Sequence, residues 1–501
     1  MEKNKEPKYL AIDLGASSGR AIVGTIEENK LKLEELYRFP NSGIQIGESL
    51  YWDLLSLFKE IKKALLIYVK RHGNDLDSIG INTWGVDFVL LDEKDELIGP
   101  IHHYRDKRTV GMIEEMCNVV PKEEIFNQTG IQFLELNSST QIFSMIKNKS
   151  PRLSITKTFI MLPDFFNYLL SGVIVSEFSD VTTTQLYNPV KKEWAYDLIE
   201  KLGLKSEWFQ KIVPGGTILG VIQDKIAEEV GLNKDTKIIA PLTHDTGSAY
   251  AAVPVDMNEY NEGEFGILSS GTWSLLGVEL KEPLISDSAL KYNYTNEGGI
   301  NGTIRFLKNI TGMWLIQECK KLWDKDNPSL TWEDIELEAQ KEERFQFFIN
   351  PDDHSFMNPN NMIQAIKGYC KNTKQNIPET IGQISRTIFE CLAFRYREAI
   401  ENLEDIIKKR IRILHIIGGG SKNTLLNQFT ANVLNIPVKA GPSEATAIGN
   451  VLVQALSLGK VEDIVELRQI VKNSFPIIDF TPKDITRWND AYREYLQTIK
   501  L

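Results

Sequence analysis

The sequence has no apolar run long enough to span a membrane, and its charged opening "MEKNKEPK" has none of the apolar region of a secretory signal. A cytoplasmic protein is expected. It has only four cysteines, Cys117, Cys319, Cys370 and Cys391, with no CxxC pair and no histidine at metal-ligand spacing. Neither a disulfide framework nor a zinc site is expected; the thiols read as buried and reduced. There is no low-complexity tract and no sustained run of like charge, and a net charge of -11 leaves no basic surface for nucleic acid or an anionic membrane. A small-molecule partner is the expectation that remains.

At 501 residues the chain exceeds what one hydrophobic core supports, so two domains are expected. Residues 8–26, "KYLAIDLGASSGRAIVGTI", alternate as strand, small-residue turn and strand, which is a β-hairpin pattern. A helix follows, with Leu54, Phe58, Ile61, Leu65 and Val69 at helical spacing and Gly73 as its stop. The opening plan returns at residues 265–280, "FGILSSGTWSLLGVEL", and reads as an internal duplication. Between the copies, "KIIAPLTHDTGSAYAAVP" ends a strand and resumes with small residues, placing the boundary between domains 1–244 and 245–501. A long helix at about 379–406, the strand "RILHII", the loop "GGGSKN", a helix, the strand "PVKAG" and a helix opening at Ser443 then alternate. The fold class is α/β, with sheets that are mixed because the hairpins are antiparallel. Ile485, Trp488, Tyr492 and Tyr495 add a C-terminal helix over about 480–501, which docks either back on the first domain or onto the second.

Several stretches carry chemistry. The Gly-Ala-Ser turn of "DLGASSGR" lets backbone N–H groups approach a phosphate, with two hydroxyls and the Arg20 guanidinium as further donors. Asp13, just before it, stands where it can hold Mg2+ through water. The same residues also suit a plain hairpin with a solvated arginine, but Ser269, Ser270, Gly271 and Thr272 repeat the phosphate-cradling pattern and favour the first reading. Asp245 in "THDTGS" can act as a general base on an attacking hydroxyl or merely cap the helix that follows; His244 reads as a packed histidine rather than a metal ligand. The run "IIGGGSKN" lets a flat ring lie against bare backbone but lacks the GxGxxG spacing of a dinucleotide fold. "NTWGVDF" offers an indole beside Gly85 and Asp87 as a platform for sugar hydroxyls, while surface ion pairs account for Lys107 and Arg108 of "HHYRDKR".

In order and spacing, "DLGASSGR", "TWGVDF", "HYRD", "SSGTWS", "NEGG", "RFLKNITGMWLIQEC", "IIGGGSKNTLLNQ" and "AGPSEATAIGN" make the chain resemble the L-rhamnulose kinases, a branch of the FGGY carbohydrate kinase family, from about residue 8 to residue 480. The resemblance implies two ribonuclease-H-like domains of the actin and hexokinase type around a central cleft. It implies transfer of the γ-phosphoryl group of ATP to O1 of L-rhamnulose, a 6-deoxy ketohexose, giving L-rhamnulose 1-phosphate and ADP, with Mg2+ as cofactor. Carried onto this chain, nucleotide contacts fall on Ala16, Ser17, Ser18, Gly19 and Arg20, on Thr272, Asn309 and Gln317, and on Gly419, with Asn423 added from the wider family. Sugar contacts fall on Gly85, His244, Asp245 and Thr246, with Asp245 as proton acceptor and Asp13 near the metal. The chain departs from many relatives at Gly247, where they read "HDTA", and at Ser421 after the three glycines; neither change removes a donor or a carboxylate.

Phosphoryl transfer asks mainly for positioning and charge neutralisation, so two phosphate hairpins, one metal and one base are a sufficient set. Alternatives that keep the fold are a kinase for L-fuculose or L-xylulose, or a nucleotide-binding protein without sugar dependence, as actin is. A hydrolase using Asp87 and Asp245 as a carboxylate pair would need no phosphate hairpins. Monomer and homodimer are equally compatible with the sequence.

Overall fold

The computed structural model describes residues 6–500, so the first five residues of the charged N-terminal segment and the last residue of the C-terminal helical segment lie outside the described residues. The chain divides into two compact units. The first comprises Met1–Pro254, Glu279–Leu307 and Ala445–Ser474, and the second Val255–Val278, Lys308–Glu444 and Phe475–Leu501.

In the first unit, β1 (Lys8–Leu14), β2 (Ser18–Glu27) and β3 (Lys30–Pro40) form an antiparallel meander on one side of a six-stranded sheet. On the other side β1 pairs in parallel with Ser78–Thr83, which pairs in parallel with Lys237–Ala240; Thr217–Val221 closes the edge antiparallel. The sheet is mixed, as the hairpin pattern requires. Leu10, Ile12 and Leu14 on one face of β1 and Tyr9, Ala11 and Asp13 on the other are all buried, as expected of a central strand covered on both faces. The helix α1 (Leu54–His72) is capped by Asp53, whose side chain accepts from the Ser56 N–H, and stops at Gly73, whose φ of 83° only glycine adopts freely. It buries Leu54, Leu57, Ile61, Leu65 and Tyr68, leaving Phe58 and Val69 half-buried at the margin of the stripe.

The second unit repeats the plan. Phe265–Ser270 pairs antiparallel with Trp273–Leu280 and parallel with Ile413–Ile417, which pairs parallel with Val438–Ala440; Ile478–Phe480 forms the antiparallel edge. The long helix Ile381–Ile407 precedes the parallel strand just as α1 precedes Ser78–Thr83, and it opens on a Thr380/Gln383 capping box. The duplicated hairpin is therefore the visible part of a duplicated sheet. The helix expected from Ser443 begins at Ala445, with Ser443 and Glu444 in the turn before it. The C-terminal helix Ile485–Thr498 docks on the second unit, Trp488 meeting Phe345 edge-on at 4.8 Å and Tyr495 stacking on Phe394 at 5.1 Å. All four cysteines are free, Cys117 half-buried and the others buried. Among the described residues no helix is long and apolar enough to cross a membrane.

Candidate active site

Asp13, the last residue but one of β1, stands directly opposite Arg20 of β2. It is 5% exposed, and Arg20 donates to its Oδ2 from Nε at 3.0 Å and from Nη2 at 2.8 Å. The turn between them is braced from outside, since Asn41 donates its backbone N–H to the Ser17 carbonyl at 3.1 Å and its Nδ2 to the Gly15 carbonyl at 2.9 Å. Ser17 is exposed, and Ala16 and Ser18 are half-buried. Gly19 differs: it is buried, and a Cβ there would lie 2.3 Å from the Phe39 ring, so this glycine makes room for packing. Arg20, read from the sequence as a phosphate ligand, is tied to Asp13 in the same unit.

Asp245 opens the helix Asp245–Ala251, with His244 in the capping position before it. The chain is led there by Thr83, whose N–H donates to the Thr243 carbonyl at 3.0 Å, and by the buried Glu177, which accepts from both the N–H and the hydroxyl of Thr243. Asp245 Oδ1 accepts from the Thr246 N–H at 2.5 Å and its hydroxyl at 3.0 Å. Its side chain is 31% exposed, so it can meet a substrate. Desolvation in its recess, and then the negative charge of Asp13, push the carboxyl up to about 7. That is a value suited to accepting a proton near neutrality.

Two residues to which sequence reasoning gave no role complete this corner. Glu297 and Arg305 face one another across the hairpin of Thr295–Gly298 and Ile304–Thr311, with Arg305 Nη1 3.2 Å from Glu297 Oε2. Arg305 is fully buried and donates from Nε to the Gly298 carbonyl at 2.7 Å. Its Nη2 lies 3.1 Å from His244 Nδ1, while His244 Nε2 lies 3.4 Å from Asp245 Oδ1. The available signal was a lone arginine inside the apolar strand "IRFL".

The loop after Ser78–Thr83 corrects two expectations. Trp84 is not an open platform for sugar hydroxyls: it is buried, its ring packs 4.2 Å from that of Trp52, and its N–H donates to Asp87 Oδ2 at 2.7 Å. Asp87 also accepts from the Trp52 indole at 2.6 Å and from Gln141 at 3.0 Å, and burial pushes its carboxyl up to about 6 despite those donors. A fully enclosed Asp87 does not make a hydrolytic pair with Asp245. Arg108 is not a surface cation either; its side chain is 12% exposed and donates to Gln141 Oε1 at 2.7 Å, extending the chain of hydrogen bonds from Asp87. Gly85 packs where a Cβ would lie 2.9 Å from Thr183, and the next residue, Val86, holds φ at 68°, a strained value for a β-branched side chain. Its N–H donates to Thr183 Oγ1 and its carbonyl accepts from Ser138, which hold the turn in place.

In the second unit the structure joins two of the expected nucleotide positions: the Thr272 hydroxyl donates to Gln317 Oε1 at 3.2 Å. The backbone N–H groups of Met313 and Trp314 donate to the carbonyls of Gly271 and Thr272, fixing the second turn against the start of the helix Trp314–Asp326. Asn309 is half-buried on Ile304–Thr311. The three glycines divide their work. Gly418 has φ 82°, a Cβ on Gly420 would fall 2.0 Å from Ser270 Oγ, and Gly419 is exposed with open space where its Cβ would be. Asn423 is buried and its Oδ1 caps the helix Thr424–Leu434 through the Leu426 N–H at 2.8 Å, so this side chain is already engaged.

Among the described residues no group of three or more His, Cys, Asp or Glu is placed to hold a metal ion. A divalent cation bound through one or two carboxylates together with substrate phosphates needs no such cage. Asp13, buried and within electrostatic reach of Asp245, fits that donor chemistry.

The N-terminal-domain model of the FGGY family of carbohydrate kinases matches residues 8–251, and its C-terminal-domain model matches residues 266–458. The chain is 43% identical over 494 residues to a rhamnulokinase of Bacteroides thetaiotaomicron, covering 98% of this chain and 99% of that protein. It is 43% identical over 491 residues to a rhamnulokinase of Bacillus subtilis, covering 98% of each. Among solved structures, a gluconate kinase of Lactobacillus acidophilus superposes with a TM-score of 0.80 at 16% identity, covering 98% of this chain and 97% of that one. Plasmodium falciparum glycerol kinase with ADP superposes with a TM-score of 0.77 at 14% identity, covering 99% of each. These structural likenesses bear on the fold alone. A sugar kinase with mixed α/β sheets is thus the class, and the chain belongs to the FGGY family of carbohydrate kinases.

Proposed function

We propose that the chain is the ATP-dependent kinase that phosphorylates O1 of L-rhamnulose, giving L-rhamnulose 1-phosphate and ADP, in L-rhamnose catabolism in the cytoplasm. The observation that carries the chemistry is Asp245, a partly exposed carboxyl pushed up to about 7 beside His244 and Thr246. The near-full-length identity to rhamnulokinases supports the choice of ketose.

In this reading Asp245 takes the proton of the O1 hydroxyl as the oxygen bonds to the γ-phosphorus and the bond to the bridging oxygen of ADP breaks. Gly85, His244 and Thr246 orient the sugar. The first turn (Ala16, Ser17 and Ser18) and Thr272, Gln317 and Gly419 receive the nucleotide. Asp13 holds Mg2+, which when bound neutralises charge on the phosphates. In this reading domain 1–244 carries the sugar side and the first hairpin, and domain 245–501 the nucleotide side.

The test is ADP release with Mg-ATP against L-rhamnulose, L-fuculose, L-xylulose, D-xylulose and glycerol, beside Asp245→Asn. Turnover greatest with L-rhamnulose and lost in the variant is the expected result. Greatest turnover with another ketose would reassign the substrate, and sugar-independent ADP release unchanged by the variant would overturn the kinase reading.

A further inference from the structure

We infer that Arg305 is a positioning residue that fixes His244 as its neutral Nε2–H tautomer and, through it, orients the Asp245 carboxylate. The role has no counterpart in the motif positions read from the sequence, and it follows from donor chemistry. Arginine has five N–H donors and no acceptor. Its Nη2 stands 3.1 Å from His244 Nδ1, so that ring nitrogen must present its lone pair. The single imidazole proton is then on Nε2, which points at Asp245 Oδ1 across 3.4 Å. Contacts of that length tighten in catalytic sites when substrate binds. Burial, and then the Arg305 charge, hold the imidazolium form of His244 well below its usual range, so the ring is neutral.

The guanidinium is itself locked. Its Nε donates to the Gly298 carbonyl at 2.7 Å, its Nη1 lies 3.2 Å from Glu297, and none of its surface reaches solvent. The ion pair with Glu297 offsets the cost of burying the arginine charge. Glu297 also explains why the arginine is needed. Its Oε2 lies 3.5 Å from His244 Nδ1, so with Arg305 removed the carboxylate is the nearest partner of that nitrogen and draws the proton to it. The opposite tautomer would turn a lone pair toward Asp245. Arg305 thus decides which way a histidine between two carboxylates donates.

The kinetic consequence rests on the reading of Asp245 as the base; the tautomer does not. The experiment is a long-range 1H–15N spectrum of the full-length chain labelled in its histidine rings, with His244 assigned by its absence in His244→Gln. The wild type is expected to show Nδ1 unprotonated and Nε2 protonated. Arg305→Met is expected to move the proton to Nδ1 and to lower kcat by up to about 100-fold, the scale set by misplacing a reacting group by about 1 Å. Arg305→Lys, which keeps a cationic donor without the planar fork, should recover part of both. Should Arg305→Met fail to fold, the wild-type spectrum decides alone: a protonated Nδ1 overturns the inference. So does an unchanged kcat in a folded Arg305→Met whose tautomer has flipped. Asp245→Asn separates the two readings, because retained turnover there removes the base while leaving the wild-type tautomer as observed.

Discussion

Arg20 and Asp13 stand directly opposite one another in the first hairpin, and two nitrogens of the arginine converge on a single carboxylate oxygen at 3.0 and 2.8 Å. A carboxylate 5% exposed at the end of a central strand depends on such a partner. Arg20→Gln is expected to cost about 1.5–3 kcal/mol, the range for hydrogen bonds to a charged group. Urea unfolding reads this as a lower midpoint with the same slope. Arg20→Lys should restore less than half, because an ammonium has no fork. An unchanged midpoint in Arg20→Gln would mean that the pair contributes nothing to the fold.

A base that must be unprotonated, and whose carboxyl stands near 7, gives a rate that climbs with pH. The kcat/KM of the wild type should rise through about pH 7 and level above it, since desolvation and the charge of Asp13 have moved Asp245 up from the ordinary carboxylate range. A carboxyl at its ordinary value would leave the profile flat from about pH 5 upward. Asp245→Asn should lower kcat by about 10²–10⁴-fold with little change in the KM for ATP. A flat profile between pH 5 and 8, in roughly the range where unperturbed carboxylates are already ionised, would contradict the assigned role.

What was legible in the sequence is what local rules decide. Alternating apolar residues marked both hairpins, and the long helix expected at about 379–406 runs over Ile381–Ile407, where a Thr380/Gln383 box supplies its start. The candidate base was legible too, because Asp245 lies in a short distinctive motif. Arg305 was not, since its partner His244 is 61 residues away and nothing in "RFLKN" points to it. Arg108 reads as a surface cation in a charged stretch; only Gln141, thirty-three residues on, makes it part of the interior. Trp84 misled for the same reason. An indole beside a glycine looks available until a second tryptophan, Trp52, packs against it. Asn423 shows the converse, a residue inferred from family resemblance whose local geometry already employs it as a helix cap.

The adjacent glycines of the "GGG" run provide an internal control. Gly420→Ala would place a Cβ 2.0 Å from Ser270 Oγ and 2.6 Å from Ser270 Cβ, both on a buried side chain that has nowhere to go. The second hairpin must shift, at an overpacking cost of about 1–3 kcal/mol. A raised KM for ATP should accompany the lower thermal midpoint. Gly419→Ala meets nothing within 4 Å and should leave the midpoint within about 0.5 kcal/mol of wild type. Equal effects from the two substitutions would mean that the loop is not packed on Ser270 as described.

The Asp87 carboxylate is the joint of the loop that holds Gly85. One of its oxygens accepts both indole N–H groups, from Trp52 at 2.6 Å and Trp84 at 2.7 Å, and the other accepts from Gln141 at 3.0 Å. An asparagine has the same shape but only one acceptor, so in either orientation its NH2 group confronts another donor. Asp87→Asn should therefore destabilise by about 1–3 kcal/mol, the cost of a buried donor left without a partner. Trp84→Phe removes one hydrogen bond and keeps the ring packing, so it should cost less. Because Val86 holds its strained φ of 68° only while its surroundings enforce it, loosening Asp87 should also relax the loop and raise the KM for sugar more than that for ATP. Indole fluorescence shifted to the red in Asp87→Asn would report wetting of Trp52 and Trp84. An unshifted spectrum with wild-type stability would show that the three donors do not depend on the charge they share.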